Sequence, residues 1–115
     1  MEFFALFNIT RFFYLPLYPK FFKIEDMATL SIFYGIIISM FYGDNKHHKQ
    51  PHIHAQFQDF EAVFSIPDGE LITGSLPQKK LKLVQAWIVM HEEDLMANWS
   101  LATHEKNIFK IDPLK

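Results

Sequence analysis

The sequence contains no cysteine. That excludes a disulfide framework, a thiolate metal site and a cysteine nucleophile, and it fits the cytoplasm, the compartment expected here. There is no excess of positive charge either: the formal net charge is −2, and the lysines are scattered. A dedicated nucleic-acid binder usually shows a basic face, so a transcription-regulating, nucleic-acid-binding role is disfavoured. No run approaches the roughly 18 consecutive apolar residues that a membrane helix needs. The standard catalytic signatures are missing too: no G-x-S-x-G, no P-loop, no H-E-x-x-H and no Rossmann glycine pattern.

What is present is apolar and aromatic. Hydrophobic residues make up 50% of the 115 positions and aromatics 17%. That is enough for one packed domain, and the length is too short for two. The chain nevertheless reads as two compositions. Residues Met1 to Asp26 carry seven of the 13 phenylalanines, with Tyr14 and Tyr18. A signal peptide wants a basic start and an uninterrupted apolar stretch. Here Glu2 comes first, Arg11 splits the apolar run, and Pro16 and Pro19 follow. The preferred reading is an N-terminal extension, 1–26, translated in frame ahead of a natural start at Met27. The competing reading is an apolar arm that docks on the domain or on a partner. Residues 27–115 are the single domain.

Leu30 to Tyr42 is almost wholly apolar, β-branched or aromatic and predicts one buried strand, with Gly35 as a bulge or close-approach point. Gly43 to Pro51 is a polar loop. His52 to Phe57 and Phe60 to Ile66 alternate and predict half-buried strands joined tightly at Gln58-Asp59. Pro67-Asp68-Gly69-Glu70 is a turn signal, and Glu70 to Leu76 predicts a short fourth strand. Pro77 suits a helix start. From Gln78 to about Leu101, Leu81, Val84, Ile88, Leu95 and Trp99 recur at helical spacing, and Leu83, Trp87 and Met90 widen the stripe. The tail from Thr103 to Lys115 is polar apart from Ile108, Phe109, Ile111 and Leu114, and is a candidate edge strand. The expected fold is α+β: a small, mainly antiparallel sheet of about four strands with one long amphipathic helix packed across it.

Four of the six histidines fall within eight residues: His47, His48, His52 and His54. Alternate side chains of a strand share a face, so His52 and His54 project together with Ile53 opposite. Two imidazoles so placed suit one metal ion or a shared proton-transfer site. His48 on the adjoining loop is the candidate third ligand, and Asp44 or Glu61 the candidate carboxylate. Imidazole sites favour transition metals such as zinc over magnesium or calcium. For phosphodiester hydrolysis without metal, His48, His52 or His54 would act as base and acid, with Lys49 meeting the developing negative charge and Lys46 the other nearby cation. The plainer reading is a pair of polar residues on an open sheet face, with His47 a solvated loop residue.

His91, on the helix stripe, reads first as a core-edge residue satisfied by a neighbouring acceptor, and second as a histidine carried towards the strand pair. Trp87 and Trp99 read as packing residues. Glu92, Glu93 and Asp94 look like a solvated helix face, and so do Lys79, Lys80 and Lys82, although cations at a helix start oppose its dipole and leave room for an acidic ligand. Asn98-Trp99-Ser100 matches a glycosylation sequon but falls inside the expected helix and is discounted.

Taken together, these motifs are similar to those of a small bacterial family, domain of unknown function 4160. The resemblance rests on Ile32 to Ile38 with Met40, then His48-Lys49-Gln50-Pro51-His52-Ile53-His54-Ala55, Glu61-Ala62-Val63 and Gly74-Ser75-Leu76-Pro77. It continues through Leu83-Val84, Trp87, His91, Leu95, Asn98-Trp99 and Ile111 to Leu114. Two departures stand out: Gln50 replaces the first of two prolines before the H-x-H, and Ser39 stands where a basic residue is common. The resemblance implies a start near Met27. It also implies a partner, a small protein encoded by a neighbouring gene, in an arrangement similar to toxin–antitoxin pairs. The leading expectation is therefore a protein-binding component of such a module, and the rival a small histidine-dependent hydrolase or nuclease.

Overall fold

A computed structural model describes residues 27–42 and 50–115. Five strands, β1 (Met27–Phe33), β2 (Ile36–Phe41), β3 (His52–Phe57), β4 (Phe60–Ser65) and β5 (Leu71–Gly74), are followed by helices α1 (Gln78–Met90) and α2 (Glu92–Thr103). The strands form one antiparallel meander in sequence order. The expected strands from Leu30 to Leu76 and the helical layer find counterparts, and the α+β class holds. The number of strands and of helices differs for identifiable reasons.

The run Leu30 to Tyr42 is not one strand but a hairpin. It folds at Tyr34-Gly35, where φ is +51° and +79°, and Phe33 pairs with Ile36 across the turn. Two central residues with positive φ match the right-handed twist of the flanking strands. The usual Asn-Gly or Asp-Gly signal is absent, so an uninterrupted apolar run hid the turn. Glycine is required at 35 for a second reason: a Cβ there would come within 3.2 Å of the Phe57 ring. Lys80 pins the turn from α1. Its Nζ donates to the Tyr34 carbonyl at 3.1 Å and lies 4.8 Å from the Phe57 ring centroid. The register irregularity in this region lies not at Gly35 but in β1, between Thr29 and Ser31.

The expected single helix is broken at His91, whose backbone leaves helical geometry (φ −127°, ψ 34°). α1 ends with His91 N–H donating to Ile88 O at 3.2 Å, and α2 opens with Leu95 N–H donating to His91 O at 2.9 Å. The break gives Glu92, Glu93 and Asp94 a physical role. They occupy the first turn of α2, where negative charge meets the positive end of the helix dipole. Val84, Trp87 and Ile88 of α1 and Leu95, Trp99 and Ala102 of α2 join Phe33, Ile36, Ile38, Ile53, Ala55 and Phe64 in one core. Met90 does not widen the stripe: it is 63% exposed.

The tail beyond α2 adds no strand. It is held by separate bonds: Ile111 N–H to Leu30 O at 2.9 Å, Trp87 Nε1 to Asp112 O at 2.8 Å, and Phe109 N–H to Asn98 Oδ1 at 2.7 Å. Asn98 is fully buried and also donates from Nδ2 to Asp94 O at 3.1 Å, so its amide clasps the tail to α2. That burial removes the sequon from reach in the folded domain. Among the described residues, no helix is long and apolar enough to cross a membrane.

Candidate functional site

β3 sets the site. His52 pairs with Ser65, His54 with Val63 on one side and Ser39 on the other, and Gln56 with Glu61. Residues opposite each other share a sheet face, so His52, His54, Ser39, Ser65 and Glu61 lie on one face while Ile53 and Ala55 enter the core on the other. The expectation that the two imidazoles project together is met: their ring centroids are 5.2 Å apart, with the rings inclined at 68°.

They do not, however, stand on an open face. His52 is 1% and His54 3% exposed. Phe41, at the end of β2, meets His54 edge-on at 4.7 Å, and Trp99 of α2 lies 5.1 Å from His52. The Nδ1 of His52 lies 2.7 Å from the Gln50 carbonyl oxygen. A carbonyl only accepts, so Nδ1 is the protonated nitrogen of a neutral His52. Phe41 and Trp99 were not read from the sequence as site residues. The signal for Phe41 was available, because it alternates with Ser39 on the histidine face. Trp99 faces His52 only through the path of α2.

Ser65, directly across from His52, is fully engaged in the turn that follows β4. Its Oγ donates to Asp68 Oδ1 at 2.8 Å and accepts from Glu70 N–H at 3.1 Å. The same turn contains a cis Ile66–Pro67 bond and Gly69 at φ +77°. Ser65 thus braces the turn.

The other candidates divide. His47, His48, Lys46, Lys49 and Asp44 lie outside the described residues. Glu61 is half-buried on the histidine face, one pair further along the ladder from His54. Among the described residues, no three His, Asp or Glu side chains are gathered closely enough to hold a metal ion. His91 is half-buried with its ring 5.3 Å from that of Trp87, in keeping with a core-edge residue, and the α2 ring against the strand pair is that of Trp99. Lys79 and Lys82 are exposed, whereas Lys80 is committed to the Tyr34 turn.

The model of the family described as Domain of unknown function (DUF4160) matches residues 35–100, from the β1–β2 turn to the last turns of α2, and the chain belongs to this family. No curated protein and no solved structure matches the chain.

Proposed function

We propose that this domain acts by binding another protein, as one component of a two-gene, toxin–antitoxin-like module in a bacterial cytoplasm. The observation that carries the reading is the enclosure of its most suggestive side chains. An acid–base pair must come within hydrogen-bond reach of its substrate. His52 and His54 are instead almost fully buried among Phe41, Trp99 and the Gln50 carbonyl. Imidazoles enclosed in this way serve packing and specificity, which leaves the surface as the working part of the molecule. The partner is a small protein encoded next to this chain's gene. The test is direct association of the two purified proteins. Complex formation at micromolar concentration is expected, and two proteins that never associate would remove the reading.

A second reading keeps its own support, the proximity of two imidazoles at 5.2 Å. In it, His48, His52 and His54 form a hydrolase or nuclease site, with zinc or with Lys49 as the electrostatic partner. Expression of the domain alone discriminates: growth arrest with RNA cleavage, abolished by His52→Ala, would favour the enzyme.

A further inference from the structure

The helices cover one face of the sheet, yet residues on both faces are buried. Val84, Trp87, Ile88, Leu95 and Trp99 pack with the row of Ile36, Ile38, Ile53 and Phe64. On the opposite face Ser39, Phe41, His54 and Val63 are buried, and Phe41 and Val63 stand outside that core. Trp99 meets this face at His52, the first residue of β3, whereas Ser39 and Val63 flank His54 further in. An antiparallel sheet with helices on one side leaves its other side to water unless a further layer lies on it.

The burial is also graded. At the end where β1 begins, Met27 pairs with Phe41, which is 2% exposed. Towards the other end Ile37, Gln56 and Glu61 are half-buried, and Ile32, the pairing partner of Ile37, is 58% exposed. The burial stops short of β5, where Thr73, opposite Val63, is exposed. The cover therefore lies over the Met27 end of β1 to β4.

Two stretches of the chain lie outside the described residues, 1–26 and 43–49. Gly43 to Lys49 joins β2 to β3 at this same end, but it holds glycine, aspartate, asparagine, lysine and histidine, with no apolar side chain. Phe41 and Val63 gain from apolar cover. Met1 to Asp26 holds seven of the 13 phenylalanines and continues directly into Met27. Reach is no obstacle: such a segment spans up to about 90 Å when extended. Crossing from β1 to β4 takes only roughly 15 Å.

We infer that Met1–Asp26 docks on the histidine face of the sheet and sets phenylalanine side chains against Phe41, His54 and Val63. The segment then governs whether His54 meets solvent, and a chain begun at Met27 would leave this face bare. The inference stands apart from the protein-binding reading, since its occupant belongs to the same chain.

The test uses the full chain. Each phenylalanine of Met1–Asp26 is replaced in turn by its photo-crosslinking analogue p-benzoylphenylalanine, and the captured residues are mapped by mass spectrometry. At least one position should capture the histidine face, at Phe41, His54 or Val63. Capture confined to other segments, capture between two copies, or no capture from any position would overturn the docking. Modification of histidine by diethyl pyrocarbonate is the second readout. With every phenylalanine of the segment changed to serine, His54 should react at least about tenfold faster than in wild type, as when a local cover opens. His104, exposed at the end of α2, is the internal control and should react at its wild-type rate. An unchanged His54 rate in a variant that circular dichroism shows to be folded would overturn the inference. If the variant does not fold, the crosslinking map alone decides.

Discussion

Trp99 lays its indole 5.1 Å from the imidazole of His52, joining the last turns of α2 to the first residue of β3. The contact spans 47 positions of sequence and links the candidate site to the helical layer.

If Trp99 holds the helix to the sheet, Trp99→Ala should cost about 3–5 kcal/mol, the range for deleting a large buried aromatic. Met90→Ala, at an exposed position on α1, should cost less than about 0.5 kcal/mol. Denaturant unfolding of both variants measures the difference, and comparable values would mean that α2 is not anchored at His52.

The Tyr34-Gly35 turn makes a prediction of opposite signs at adjacent residues. Gly35→Ala should destabilise by about 1–2 kcal/mol, because φ is +79° and the added methyl group crowds Phe57. Tyr34→Asn should be neutral or stabilising, since Tyr34 is exposed with φ +51° and asparagine tolerates that region. A thermal midpoint that falls with Tyr34→Asn as far as with Gly35→Ala would count against this turn.

The break at His91 can be read through charge. In the first turn of a separate α2, Glu92, Glu93 and Asp94 stabilise the helix by about 0.3–1 kcal/mol each. Reversing all three to lysine should therefore lower the thermal midpoint, and added salt should shrink the deficit. In one uninterrupted helix the same reversal would fall mid-helix and leave stability nearly unchanged.

Asn98 connects two segments through one amide. Asn98→Leu removes its bonds to Asp94 O and Phe109 N–H and leaves that backbone donor without its acceptor, a loss of about 1–3 kcal/mol. Hydrogen exchange at Phe109 should accelerate by more than exchange in β2. Unchanged protection at Phe109 would dismiss the clasp.

For the zinc proposal, the sign of the pH effect follows from the ligands. Imidazole binds metal only when deprotonated, so a zinc-induced rise in thermal midpoint at neutral pH should vanish below about pH 6. It should also be absent from His52→Ala, His54→Ala double-variant protein. Untagged protein is essential, because a polyhistidine tag would bind zinc itself. The same rise in the double variant would reject His52 and His54 as ligands.

The sequence by itself determined the local structure that depends on near neighbours. The two-residue period of His52 to Phe57 determined which histidines share a face. Gln58-Asp59 and the Pro67 to Glu70 segment located their turns, and the spacing of Val84, Ile88, Leu95 and Trp99 located the helical layer. Where one local pattern served two structures, sequence was insufficient. The apolar run Leu30 to Tyr42 suits a long strand as well as a hairpin, and only the pairing of Phe33 with Ile36 over a positive-φ turn chose the latter. The acidic triplet Glu92 to Asp94 could have been read as a helix start, but the apolar stripe on both sides concealed the break. The environment of the histidines was beyond sequence altogether. Alternation places His52 and His54 on a face, but their burial, and the rings of Phe41 and Trp99 set against them from other elements, are not in the alternation. Burial is a property of the assembled layers, and at this site it decides between a surface pair open to substrate and an enclosed one.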